Sequence, residues 1–322
     1  MTSVALVTAQ KPLEIYVVDP EGGKAALWIA PSGETVLIDS GNPGERDLGR
    51  IKEMFAAAGV TRIDYLVSTH YHVDHIGGMQ ELVRQFPVST FVDHGPTVEG
   101  PVVPNLREQV PGFQAAYAEL WKSARHLVVK PGDKLPIAGL DWRFVTSAGA
   151  ALKTPIAGAP EAGRPNAACA QSQPKEVTND ENGQSVGSIV TLGRFRAADF
   201  GDLLWNREIE LMCPNNPVGT VDLFMVTHHG LSISNSPAMV LGLRPRVAIM
   251  QNGTTKGAAV DVMQLMRSSP GLEDIWQLHW SYTAGIEHNA PGVLIANLEE
   301  PATLAQRLTA PPAGGRDRKS VV

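Results

Sequence analysis

Ser68-Thr69-His70-Tyr71-His72-Val73-Asp74-His75-Ile76-Gly77-Gly78 places three of the chain's nine histidines and one aspartate within six residues. The run 63–68 before it is apolar and reads as a buried strand, and 79–84 after it reads as a helix. Four metal-competent side chains on one strand-to-helix turn cannot all point the same way. His70 and His72 alternate in phase and can serve one ion. Asp74 and His75 lie beyond the bend and can serve a second. Imidazole with carboxylate suits zinc, and manganese and iron also accept this donor set.

The order H-x-H-x-D-H followed by I-G-G resembles the metallo-β-lactamase superfamily, a large family of hydrolases. The resemblance implies an α/β fold, a four-layer αββα sandwich, with two divalent metal ions at its centre. Working outward from the motif, 13–18 and 25–30 are strand-like around a turn at 20–23, and 34–39 is a third strand. Residues 46–58 have helical spacing, with Leu48, Ile51, Met54 and Phe55 on one face. This opening matches the first half of the resembled fold. There, an aspartate in the position of Asp39 lies behind the metal histidines and orients one of them.

Downstream, 89–94 is a short strand ending in His94, 105–124 is mostly helical, and 127–145 alternates like a hairpin. Residues 148–183 are rich in Ala, Gly, Pro, Asn and Gln with little periodicity, and read as an insertion over one face. Strands at 185–192 and 194–198 lead into Asp199-Phe200-Gly201-Asp202. After a helix at 205–212, the apolar strand 221–227 delivers His228-His229-Gly230. A short helix follows Ser236-Pro237. Strands at 246–251, 275–280 and 293–298 and a helix at 258–267 complete a domain over 13–300. The tail 301–322 is polar and rich in Pro and Gly, and its last dozen residues are expected to lack order.

In the resembled family an aspartate after a strand bridges the two metals, and a later histidine completes the second ion's ligands. Asp202 fits the bridge, with Asp199 as the rival. His229 is the expected ligand, and His228 then faces substrate, although the two roles are exchangeable on sequence alone. The metal ligands are therefore expected to be His70, His72, Asp74, His75, Asp202 and His229.

One feature departs from the common pattern. Many members carry a histidine shortly before the bridging aspartate, and this chain has none between His126 and His228. The region instead reads Asn182-Gly183-Gln184-Ser185. Asn-x-x-Ser, then Gly-Asp, then His-His-Gly is similar to the metallo-β-lactamase domains of ComEC/Rec2-type competence proteins, and phosphorylcholine esterases have a similar arrangement. The first site then uses His70, His72, Asp202 and water, or recruits His94. As a lone histidine at a strand end, His94 otherwise reads as structural or as a substrate contact. His279 and His288 are weaker candidates for the site, and His126 reads as structural.

With 322 residues, 43% hydrophobic and 19% charged, the chain can bury a sizeable core. It has no apolar run of the ~20 residues that span a bilayer. A net charge of −6 without a basic cluster argues against long nucleic acid and leaves small-molecule substrates. Residues 1–12 resemble the tail of a secretory signal, or equally an N-terminal strand. Export would let Cys169 and Cys213 pair; without it they are two free thiols. The expected function is a binuclear metal-dependent hydrolase of a small phosphodiester or phosphate ester, in which Asp74 orients a metal-bound hydroxide and His228 donates to an oxyanion or leaving group. A lactonase or β-lactamase-type carbonyl hydrolase is the alternative, and a non-catalytic metal-binding module the third reading.

Overall fold

The computed structural model describes residues 11–99, 110–176, 180–298 and 320–321. Its first sheet runs β1 (Glu14–Val17), β2 (Ala26–Ile29), β3 (Thr35–Ile38), β4 (Ile63–Val67), β5 (Val88–Asp93) and β6 (Arg125–Val128), each beside the next. The first three are antiparallel, and the pairs from β3 to β6 are parallel. The second sheet holds β7 (Lys134–Leu135), β8 (Asp141–Ser147), β9 (Ala150–Ala151), β10 (Gly187–Leu192), β11 (Phe195–Asp199), β12 (Leu223–Met225), β13 (Val247–Met250), β14 (Asp274–His279) and β15 (Ile295–Asn297). It too begins antiparallel and becomes parallel, from β11 to β15.

The central parallel strands β3, β12 and β13 are buried on both faces, so their sequences are mostly apolar rather than alternating. In β3, Val36 and Ile38 point between the sheets while Leu37 points outward. In β12, Leu223 and Met225 point inward and Phe224 outward. The inner layer is closed by Trp28 against Trp142, edge to face with ring centroids 5.3 Å apart.

The outer faces take helices. Leu48, Ile51, Met54 and Phe55 of α1 (Glu45–Ala58) pack with Leu37 and Leu66, together with Met79 and Leu82 of α3 (Met79–Gln85) and Tyr117 of α4 (Val110–Leu120). Between α1 and α3 lies the single turn α2 (Val73–Ile76). On the other side α5 (Trp205–Met212), α6 (Pro237–Leu243) and α7 (Val260–Ser268) cover the second sheet. Four layers, helix–sheet–sheet–helix, result.

Three sequence expectations change. The stretch 127–145 is not one hairpin: β6 ends the first sheet, and only β7 and β8 pair with each other in the second. Both halves alternate because each sheet edge is half buried, so periodicity could not show the switch of sheet. The stretch 293–298 opens as a 3₁₀ turn before β15. Of the tail expected to lack order, Ser320–Val321 forms β16 against β1; residues 301–319 and 322, like 1–10, lie outside the described residues. The insertion 148–183 packs along α5 and α6. Asn166 donates to Met212 O and Ala238 O, and Cys169 is bonded to Cys213 at the end of α5. Its last part leaves that edge and reaches the strand ends that carry the histidines.

Candidate metal centre

Every motif residue lies just past the carboxyl end of a parallel strand, where open α/β sheets leave a crevice. β3 delivers Asp39, β4 the His70–His75 turn, β5 His94, β11 Asp202 and β12 His228 and His229. Two backbone features draw the halves together. Gly201 has φ 55, and a Cβ there would lie 2.7 Å from Thr69 Cβ, so only glycine lets the second half approach the first turn this closely. His228 and His229 adopt consecutive left-handed conformations, φ 54 and φ 56. Each costs a non-glycine residue about 1–2 kcal/mol. The strain turns both rings toward Asp202.

Four ligand atoms converge. His75 Nε2 lies 3.4 Å from Asp74 Oδ2 and 3.2 Å from Asp202 Oδ2. His229 Nε2 lies 3.3 Å and 3.2 Å from the same two atoms. Ligands about 2.0–2.1 Å from a tetrahedral ion stand about 3.3–3.4 Å apart, so the spacing suits one cation at their centre. Beside them His70 Nε2 faces His72 Nδ1 at 3.1 Å. The His70 and His75 rings are neighbours, with centroids 4.1 Å apart.

The far nitrogens fix the tautomers. His229 Nδ1 lies 3.0 Å from Gln251 O, which can only accept, so Nδ1 carries the proton. His75 Nδ1 donates to Asp39 Oδ2 at 2.8 Å. Thr69 Oγ1 donates to Asp39 and can therefore accept from His70 Nδ1 at 3.2 Å. His72 Nε2 donates to Glu99 Oε1 at 3.1 Å. Each ring thus turns an unprotonated nitrogen inward, as metal ligands do when their other nitrogen is held by an acceptor. Among the described residues His75 Nε2, His229 Nε2 and Asp202 Oδ1 are buried without a hydrogen-bond partner. Lone pairs facing one another at these distances repel unless a cation lies between them; the four-residue group fits one divalent ion, and the facing His70 and His72 offer two nitrogens beside it.

The charges agree. Burial raises a carboxyl's pKa, yet the His229, His75 and His228 rings hold Asp202 well below the usual range. Burial likewise opposes charge on His75, but Asp202, Asp74 and Asp39 around it raise it well above an ordinary imidazole. Burial, then the neighbouring His75 and His72, press His70 well below. Without a metal the cluster recruits a proton as its cation.

Of the expected ligands, Asp74, His75, Asp202 and His229 form one group, and His70 and His72 form the adjoining pair. Asp39 stands behind His75. Asp199 is drawn away: Lys24 Nζ donates to it at 2.5 Å, and it takes the Gly201 N–H. His228 stands at the rim of the group, its Nε2 3.4 Å from Asp202 Oδ2 and its Nδ1 3.0 Å from Ser234 Oγ. His94 does not join the first pair. Its Nε2 lies 2.8 Å from Glu181 Oε1, and its ring packs on Tyr71. His126 meets Asp93 and stacks on Trp121, and His288 lies near Glu287. His279 is buried between Asp19 and Glu21.

Sequence reasoning passed over Glu99, Glu181 and Lys256. Glu181 accepts from Thr97 Oγ1 and Val98 N, and its own N–H reaches Glu99. It directly precedes Asn182, whose Oδ1 is buried without a hydrogen-bond partner among the described residues. Ser185 of the same Asn-x-x-Ser stretch accepts the Asp202 N–H at 3.2 Å. Lys256 Nζ donates to Asp74 Oδ2 at 2.6 Å; the only signal for it was a Gly- and Thr-rich loop after an apolar strand.

Residues 19–138 match the sequence profile of the family described as Metallo-beta-lactamase superfamily. A curated relative, Coenzyme F420H(2) oxidase of Methanothermobacter marburgensis, is 30% identical over 124 residues, 37% of this chain. The chain spans 25% of that relative's length. Among solved structures, Igni18, a metallo hydrolase from Ignicoccus hospitalis, is 16% identical with a TM-score of 0.47, covering 82% of this chain and 94% of its own. CmlA, a diiron beta-hydroxylase from Streptomyces venezuelae, is 17% identical with a TM-score of 0.41, covering 75% and 45%. YhfI from Bacillus subtilis is 11% identical with a TM-score of 0.46, covering 83% and 96%. Over residues 19–138 the chain carries the sequence pattern of the metallo-β-lactamase superfamily, and its two sheets with outer helices are the metallo-β-lactamase fold.

Proposed function

We propose that the chain is a binuclear metal-dependent hydrolase of a small phosphodiester or phosphate ester, of the ComEC/Rec2-like branch and exported. The observation that carries the metal reading is the convergence of Asp74, His75, Asp202 and His229, with each histidine Nε2 3.2–3.4 Å from both carboxylates, beside a facing histidine pair. His70 and His72 would hold one ion, and Asp74, His75 and His229 the other, with Asp202 between them. Bound there, two divalent ions would supply a hydroxide near neutral pH and positive charge for a developing oxyanion. The protein's part is orientation and proton handling. Asp39, Glu99 and Gln251 O fix the tautomers of His75, His72 and His229. Asp74, 17% exposed at its side chain against 3% for Asp202, stays ionised, since, against burial, His75, Lys256 and His229 hold its carboxyl well below the usual range, and would orient the attacking water and relay its proton. His228, steered by Ser234 and kept neutral by burial, which pushes its pKa down to about 4, would offer a hydrogen bond to the departing oxygen.

The branch assignment is supported by Asn182-Gly183-Gln184-Ser185 in place of a third histidine, with Ser185 holding the backbone of Asp202. Export is supported by the Cys169–Cys213 bond. A cavity of about 420 Å³ lined by Tyr71, Thr97, Glu99, Tyr117 and Trp121 opens beside the partner of His72 and is the size of a small ester's substituent.

The test is a panel on metal-loaded protein: bis(p-nitrophenyl) phosphate, p-nitrophenyl phosphorylcholine, a lactone and nitrocefin. Turnover of a phosphorus ester is expected. Turnover of the lactone or nitrocefin alone transfers the site to carbonyl chemistry, and turnover of nothing favours a metal-binding module. A second reading, a redox enzyme, is favoured by the 30% identity to a stretch of an oxidase. Iron rather than zinc in protein purified without chelator, with oxygen consumption from a reduced donor, would put that reading first.

A further inference from the structure

Lys256 lies outside every role given so far. Its ammonium has three N–H donors, and the described contacts give it one acceptor, Asp74 Oδ2 at 2.6 Å. The side chain is 39% exposed, while those of His229 and Asp202 are 1% and 3% exposed. Asp74 and Lys256 therefore form the outer lip of the metal centre, with N–H donors left over for the opening. With an ion held beside His75 and His229, Asp74 would share its charge between that ion and Lys256, which would leave the ammonium incompletely neutralised.

The loop that carries Lys256 is framed on several sides. Gly253 N–H donates to Lys256 O at 2.9 Å, and Tyr282 N–H to Thr254 O at 2.9 Å. Ala258 N–H donates to His229 O at 3.0 Å, which ties the loop to the ligand itself. Thr254 donates through N–H at 3.0 Å and Oγ1 at 2.7 Å to Glu21 Oε1. The lysine stem crosses Gly22, φ 84, where a Cβ would lie 3.1 Å from Lys256 Cδ. Glu21 itself sits at φ 52, a conformation non-glycine residues keep only when their surroundings hold them. The holder is buried: Glu21 Oε2 lies 3.2 Å from His279 Nε2, and that nitrogen reaches Asp19 Oδ1 at 2.6 Å. Asp19 Oδ2 in turn meets Arg50 at 3.0 Å and Asn297 at 2.7 Å. A lysine that merely neutralised Asp74 would need none of this frame.

We propose that Lys256 anchors an anionic oxygen of the substrate, phosphoryl or carboxylate, at the mouth of the metal centre, and that Asp19, His279 and Glu21 form the frame that aims it. The proposal rests on the reading of the centre as a metal site and needs no turnover. The experiment measures binding of inorganic phosphate and of acetate to metal-loaded protein by calorimetry, with metal content determined for each variant. The variants are Lys256→Met, Lys256→Arg, Glu21→Gln and, as a control for loss of one surface charge, Lys122→Met.

Lys256→Met is expected to keep its metal and to bind the preferred anion about tenfold or more weakly, the loss of one charge-assisted hydrogen bond. Lys256→Arg should recover most of the affinity, and Lys122→Met should match the parent. Glu21→Gln, a positioning change, should weaken the anion in the same direction while metal content holds. Preference for phosphate joins the anchor to the phosphorus-ester reading; preference for acetate keeps the anchor and overturns that reading. Unchanged anion affinity in Lys256→Met, or loss of metal from it, would overturn the proposal. Unchanged affinity in Glu21→Gln would overturn the framing role.

Discussion

Asp39 has no exposed surface and sits at φ 58, and both its oxygens serve the metal turn. Oδ1 takes the Thr69 N–H, and Oδ2 takes Thr69 Oγ1 and His75 Nδ1. An asparagine of the same shape would direct an N–H₂ at one of these donors. Asp39→Asn is therefore expected to weaken binding at the His75 site by ten- to a hundredfold, the usual effect of losing an acceptor behind a ligand, with the fold retained. Competition with a chromophoric chelator measures it; unchanged affinity would mean that His75 is oriented without Asp39. At this scale the sequence was informative where residues are neighbours and silent where they are not. The H-x-H-x-D-H order fixed candidate ligands because six positions share one turn. The choice of Asp202 over Asp199 depends on Lys24, 175 residues away from Asp199. The inward turn of His229 depends on paired left-handed backbones, which no propensity marks at histidine.

At the scale of elements, α5 and α6 hold the His228 side of the site through one buried carboxylate. Glu208 of α5 accepts from the N–H groups of Asn235 and Ser236, and Ser236 caps α6. Ser234 of the same loop reaches His228. Burial pushes the Glu208 carboxyl up to about 7, against those hydrogen bonds. A group raised on folding binds its proton more tightly in the native state. Its stabilising contribution is full below the unfolded value near 4.5 and falls as pH rises toward 7. A shift of this size corresponds to roughly 3 kcal/mol. Glu208→Gln should flatten the dependence of the urea midpoint on pH between 4.5 and 7 while lowering stability overall through one mismatched N–H; a parent-like pH slope would contradict the assignment.

The insertion makes a second case. Its composition announced irregular structure, but not that it would lie along α5 and α6, because its contacts are scattered side-chain bonds to backbone, such as those of Asn166 and Ser172, and one cross-link, none of which leaves a period in the sequence. Cys169 and Cys213 close a loop of 44 residues. Cys169→Ala with Cys213→Ala should cost about 2–4 kcal/mol, read from chemical denaturation; equal stability would mean that the bond adds nothing to the packing of the insertion.

For the whole molecule, the two sheets share one inner core, and the site forms only where their carboxyl ends meet. Trp142 in β8, fully buried against Trp28 of the opposite sheet, joins the halves. Trp142→Ala is expected to cost about 3–5 kcal/mol. The sandwich was legible because apolar runs ending in Asp39, His70, Asp202 and His228 mark parallel strands with functional ends. The switch of sheet within 127–145 was not, since both edges show the same alternation. Nor was Lys256, whose loop reads as a turn until β13 is set beside β12. Among the described residues no helix is long and apolar enough to cross a membrane. The central claim is that one carboxylate, Asp202, joins two metal positions, and it is tested most directly by metal stoichiometry of the parent and of Asp202→Ala, both purified without chelator. Two equivalents in the parent, falling to one or less in the variant, is the predicted result. A parent with less than about half an equivalent of zinc, manganese and iron combined, or an Asp202→Ala protein that still holds two, would contradict it.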